Sequence, residues 1–141
     1  MSKLKNAAVV AEIIKHAESI TLTKLSKILF LVDYEYYKTY NRQLSDFTYR
    51  RYFYGPYPVE IHDTISNLLA VSIIGYTSQP VHYYITHENF LFNLKPYLSN
   101  EEREFIQKIV DKYTNKSFDD IMEEIMSIDE IKEAKFADII L

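Results

Sequence analysis

At 141 residues the chain is long enough to bury roughly two-thirds of its unfolded surface around one core, and 48% hydrophobic with 26% charged residues excludes general disorder. Zero cysteines exclude a disulfide framework, a thiolate metal site and a thiol nucleophile, and two glycines leave nothing to build a phosphate cradle. A net charge of −4 argues against a protein that coats nucleic acid, while 13 Tyr and 8 Phe against no Trp mark an unusually aromatic chain.

The longest apolar runs, Ile28–Val32 and Ile139–Leu141, fall far short of the ~20 residues of a spanning helix. Glu12, Lys15 and His16 interrupt the apolar stretch that would follow the basic start of a signal peptide, so a cytoplasmic location is expected.

A first helix is predicted over Leu4–Glu18, where Ala7, Val10, Ile13, Ile14 and Ala17 recur at three- and four-residue steps. Thr21 or Thr23 then caps a second helix that runs to about Tyr40 and stops at Asn41, a residue that tolerates the left-handed conformation. Phe47–Tyr54 alternates aromatic and polar residues as a strand does, with Gly55-Pro56 as its terminator. Pro58 opens a third helix to about Leu69, its dipole complemented by Glu60.

Ile73–Thr77 and Val81–Thr86 form a hairpin about Ser78-Gln79-Pro80. Ser99-Asn100-Glu101-Glu102 is a capping box, Ser127-Ile128-Asp129-Glu130 repeats the pattern, and Ser117 with Asp120 is a weaker version. Helices over roughly 100–114, 118–126 and 128–136 follow. The expected fold is α+β and predominantly helical, with about six helices and a small antiparallel β component that includes a wing-like hairpin. One domain is expected across residues 1–141.

The second helix carries most information. With Leu25 at zero on a wheel of about 100° per residue, Ile28, Leu29, Val32 and Tyr36 lie within about 60° of it as a core stripe. Phe30 and Tyr37 form a second apolar flank. Lys24, Lys27, Leu31, Tyr34 and Lys38 fill what remains. This strip reads either as a solvated face whose long side chains lie over apolar neighbours or as a partner-binding strip, Tyr among cations being typical of an interface.

Other signals are structural first. Gly55-Pro56 reads as a backbone turn. Arg50 and Arg51 lie on opposite faces of a strand, one toward solvent and one toward a carboxylate. His16, His62, His82 and His87 are scattered without helix-spaced ligand pairs, and Asp119-Asp120 with Glu123-Glu124 read as an exposed acidic face, so neither metal nor cofactor is expected. No nucleophile elbow or phosphate loop is present, and an enzyme is not expected.

Two stretches resemble a known family. Leu22-Thr23-Lys24-Leu25-Ser26-Lys27-Ile28-Leu29-Phe30-Leu31-Val32-Asp33 and Arg51-Tyr52-Phe53-Tyr54-Gly55-Pro56-Tyr57-Pro58-Val59-Glu60-Ile61 are similar to the two motifs of the SocA-like, or Panacea, antitoxin domain. A looser match spans Tyr113–Ile121, and the resemblance covers about residues 7–135. The chain departs from the family at Met126-Ser127-Ile128-Asp129, where relatives often place a His, and over Val71–Asn93. In this resemblance Leu25, Ile28, Leu29, Phe30, Gly55 and Pro56 are structural motif positions.

The resemblance implies a non-catalytic domain that neutralises a co-encoded toxin by direct contact, in some members by handing it to a protease. The expected contact strip is Lys24, Lys27, Leu31, Tyr34 and Lys38, extended by Tyr57. The alternative is a winged-helix-like DNA-binding regulator using the helix 58–69, the hairpin and Arg50 or Arg51. Against it, neither that helix nor the wing contains a Lys or Arg to contact phosphate.

Overall fold

Thr21 starts the element around which the rest is arranged. In the computed structural model, which describes residues 2–87 and 92–141, its side-chain oxygen accepts the Lys24 N–H at 3.3 Å and caps helix α2 (Leu22–Tyr40). Asn41 closes the other end in the left-handed conformation, φ 56°, with its N–H on the Tyr37 carbonyl. Helix α1 (Ser2–Ala17) precedes α2. Val9, Val10, Ile13 and Ile14 of α1 share one core with Leu25, Ile28, Leu29 and Val32 of α2. Ten residues of α2 are buried, which places it at the centre of the fold.

Along the chain follow β1 (Tyr49–Tyr52), β2 (Gly55–Pro58), α3 (Ile61–Ala70), β3 (Ile74–Tyr76) and β4 (Tyr83–Ile85). A 3-10 helix (Phe92–Tyr97), α4 (Asn100–Tyr113), α5 (Phe118–Met126) and α6 (Asp129–Glu133) complete it. The fold is α+β and predominantly helical, with six α-helices and two antiparallel hairpin sheets among the described residues. Helix α1 packs on α3, α4 and the 3-10 helix, and α2 on β2, α4 and α5. Among the described residues no helix is long and apolar enough to cross a membrane. Residues 88–91, within the Val71–Asn93 stretch, lie outside the described residues.

Local chemistry sets most helix starts. Ser99 accepts the Glu102 N–H while the Glu102 carboxylate accepts the Ser99 N–H, completing the capping box of α4. Ser117 accepts the Asp120 N–H at the start of α5. The third box does not form. Ser127 ends α5 in a helical conformation, with its hydroxyl on the Glu124 carbonyl at 2.6 Å, whereas a capping Ser needs extended backbone. Ile128 is the residue that precedes α6.

The hairpin about Ser78-Gln79-Pro80 is present, with Ile74 opposite Ile85, Gly75 opposite Tyr84 and Tyr76 opposite Tyr83. It is tied to the α1–α2 link by reciprocal backbone bonds between Ile20 and Tyr83 at 3.0 and 2.8 Å.

The predicted strand over 47–54 requires correction. Gly55-Pro56 does not end a sheet; it begins β2, which pairs back on β1 with Tyr49 opposite Pro58 and Tyr52 opposite Gly55. Pro56 and Pro58 sit at the alternate positions of β2 that do not donate to β1, so the missing N–H groups break no ladder bond. Helix α3 therefore begins at Ile61 rather than Pro58. Glu60 is the N-cap residue of α3, but its carboxylate makes no capping bond; it accepts the Thr48 N–H and hydroxyl at 2.8 and 2.9 Å.

A further β element was not expected from the sequence. Residues 137–141 run back along the free edge of β1: Tyr49 N–H donates to the Leu141 carbonyl at 3.0 Å, Ile140 N–H to Tyr49 at 2.8 Å and Arg51 N–H to Asp138 at 2.8 Å. Ile139 stands opposite Arg50.

Candidate protein-interaction surface

The motif positions behave as core: Leu25, Ile28, Leu29 and Phe30 are fully buried, and Gly55 and Pro56 are buried beside them. The strip expected to stay open on α2 does not. Leu31 is 1% exposed and Lys27 4%. Lys27 Nζ donates to the Pro56 carbonyl at 2.9 Å, and Lys24 Nζ to the Thr114 carbonyl at 2.5 Å. Strand β2 and helices α4 and α5 pack on α2 and cover this face, which a helical wheel cannot show. Tyr34 is half-buried, stacked on Phe30 at 5.6 Å, and its hydroxyl approaches Glu130 at 3.5 Å. Lys38 alone of the strip is exposed, its Nζ 5.3 Å from the Tyr34 ring centre.

Exposed aromatic surface collects instead at the tip of the first hairpin. Phe53 is 82% and Tyr54 73% exposed, in the two-residue turn between Tyr52 and Gly55. Gly55 makes that turn possible. Its φ of +90° is one that other residues resist, and a Cβ there would lie 3.3 Å from Met126 Sδ of α5. The tip is thus held against α5 while its rings face outward.

Phe136, 59% exposed, packs on Phe53 at 4.9 Å and on Tyr52 at 5.6 Å, and Tyr52 reaches Tyr57 at 5.7 Å. Between this cluster and the first turns of α2 lies a groove of about 220 Å³, lined by Leu22, Ser26, Lys27, Tyr52, Tyr54 and Tyr57 among others. Such rings give large contact area while losing little side-chain entropy.

The cations nearby are unusual in their partners. Lys24, Lys27, Arg50 and Arg51 all donate to backbone carbonyls, of Thr114, Pro56, Ala137 and of Ile131 with Tyr52 respectively. None of the four forms an ion pair among the described residues. Arg50 and Arg51 therefore depart from the expected split between solvent and a carboxylate. Burial, and then the charge of Arg51, lower the Lys27 amine to about 8. No group of side chains suited to a metal ion occurs among the described residues.

Residues 25–129, from the middle of the first motif to the start of α6, match the family described as antitoxin SocA-like, Panacea domain. The chain belongs to that family. No curated protein and no solved structure matches it. The SocA-like antitoxin family is generally non-enzymatic, and membership implies a toxin–antitoxin role with a toxin as partner in general. In this SocA-like domain the Leu25–Phe30 motif is the buried side of α2, and Tyr54-Gly55-Pro56 is the hairpin that covers Lys27. Helix α1, Phe136 and the residue 137–141 segment lie outside the matched stretch yet complete its core and its aromatic surface.

Sequence reasoning missed Tyr52, Phe53, Tyr54 and Phe136 as surface candidates. The available signal was Pro at alternate positions 56 and 58 after Gly55, the mark of an edge strand, which makes the two aromatics before Gly55 a turn.

Proposed function

We propose that this chain is an antitoxin that neutralises a toxin protein by direct, non-catalytic binding, and that the contact surface is the hairpin tip. Phe53, Tyr54 and Phe136 are the anchors, with Tyr52 and Tyr57 as their flank. The observation that carries this reading is the adjacency of two rings exposed by 82% and 73% on a turn whose Gly55 packs against Met126 of α5. Large apolar side chains held rigidly in water mark binding surfaces, and aromatic residues dominate their energetics. Lys38 and Tyr34 border a separate groove with Tyr37 and Glu130 and stand outside the proposed contact.

Neutralisation is proposed to work by occlusion, in the cytoplasm, with the toxin persisting in the complex. The test is co-expression with the product of the neighbouring open reading frame, scoring growth rescue, co-purification and toxin level. Rescue with a stable co-purifying complex supports occlusion. Rescue with loss of the toxin points to delivery to a protease, and absence of both rescue and complex overturns the reading. Helix α3 and the β3–β4 hairpin contain no Lys or Arg, so the DNA-binding alternative gains no support from the fold.

A further inference from the structure

Lys27 is a buried cation with no counter-ion. Its ammonium can donate three hydrogen bonds, and the Pro56 carbonyl takes one at 2.9 Å. The charge of Arg51 also acts on Lys27, and the Arg51 guanidinium is committed to the carbonyls of Ile131 and Tyr52. No carboxylate lies within ion-pair distance of either among the described residues. An unneutralised charge in such surroundings is costly, and a carboxylate supplied from outside would recover that cost. The route to it exists. Lys27 forms part of the wall of the groove beside Phe53 and Tyr54, and the residues lining that groove include no acid.

Resting on the proposed antitoxin reading, we infer that this groove receives one acidic side chain, Asp or Glu, of the bound toxin, and that its carboxylate pairs with the Lys27 ammonium. The aromatic rims of Tyr52, Tyr54 and Tyr57 exclude water from that pair, so the contact selects for a carboxylate at one fixed place in an otherwise apolar interface. The volume of about 220 Å³ suits a single side chain rather than a folded element. A protein carboxylate fits better than a nucleic-acid phosphate, because the charge sits inside a small aromatic slot and not along an exposed track of cations.

The experiment is a charge-neutralising scan of the toxin, each Asp to Asn and each Glu to Gln, titrated calorimetrically against the wild-type chain and Lys27→Met. One toxin substitution is expected to weaken binding to the wild type by about 10-fold or more and to have no further effect on Lys27→Met, which itself binds about 10-fold or more weakly. Circular dichroism and the melting point report whether Lys27→Met folds, and loss of an uncompensated charge should leave it as stable as the parent. The wild-type arm alone suffices to refute the idea: no acidic substitution weakening binding beyond about 3-fold overturns it.

Additive effects in the two backgrounds also overturn it. If Phe53→Ser abolishes binding while Lys27→Met does not, only the carboxylate pairing falls; if neither matters, the hairpin surface falls with it. Salt-sensitive binding of a duplex oligonucleotide, lost in Lys27→Met, would replace the carboxylate by a phosphate.

Discussion

Tyr49 donates its hydroxyl proton to the Asp33 carboxylate at 2.5 Å, and neither residue has any exposed surface. The same carboxylate accepts the Ser45 N–H at 2.8 Å and the Ser45 hydroxyl at 2.5 Å, with the Gln43 amide at 3.4 Å. Asp33 lies on the central helix and Tyr49 on β1, so this network fastens the hairpin sheet to the core. Tyr49→Phe removes one charge-assisted bond and should cost about 2 kcal/mol, read from urea unfolding.

Two carboxylates give opposite pH dependences. Burial pushes the Asp33 carboxyl above its ordinary value, with the bonds from Ser45, Tyr49 and Gln43 pulling the other way. Its contribution to stability is therefore fully present below the unfolded pKa and is lost as pH rises through the folded one. For Glu102 burial alone would raise the carboxyl, but the Lys5 ammonium at 2.7 Å and the Ser99 bonds hold it below the usual range. Its contribution is present above the unfolded pKa and is lost as pH falls through the folded one. Unfolding curves from about pH 3 to about pH 7 should show Asp33→Asn gaining on the parent as pH rises and Glu102→Gln losing ground.

Gly55→Ala tests whether the tip depends on its turn. A side chain at φ +90°, with Met126 Sδ at 3.3 Å, should cost about 1–3 kcal/mol and loosen Phe53 and Tyr54. The melting point measures the first effect and toxin affinity the second.

The edge segment predicts a pattern of amide exchange. Ile140→Pro deletes the N–H that bonds Tyr49 and should destabilise by about 1 kcal/mol. The amides of Tyr49 and Arg51 should lose protection, while those of β2, which face the other side of β1, keep it.

What the sequence made legible was local. Thr21, Asn41, Ser99 and Glu102 act within a few residues of themselves, and each does what its side chain dictates. The buried side of α2 was also readable, because Leu25, Ile28, Leu29 and Val32 repeat at the helix period. The fate of Lys27 and Leu31 was not. Their wheel positions beside Lys24 and Lys38 look solvated, and only β2, α4 and α5 arriving from elsewhere in the chain bury them. Ser127 fails as an N-cap because it is the C-cap of α5, where its backbone is still helical rather than extended. The exposed aromatic tip escapes a sequence reading in which Gly55-Pro56 ends a strand, because Gly55 is instead the far arm of a turn.

The most direct measurement is the affinity of the toxin for Phe53→Ser/Tyr54→Ser, taken beside its melting point and circular dichroism. Both side chains are exposed, so the fold should be unchanged, and the toxin should bind about 100-fold or more weakly with growth rescue lost. A variant that is folded and binds as tightly as the parent would contradict the assignment of the hairpin tip.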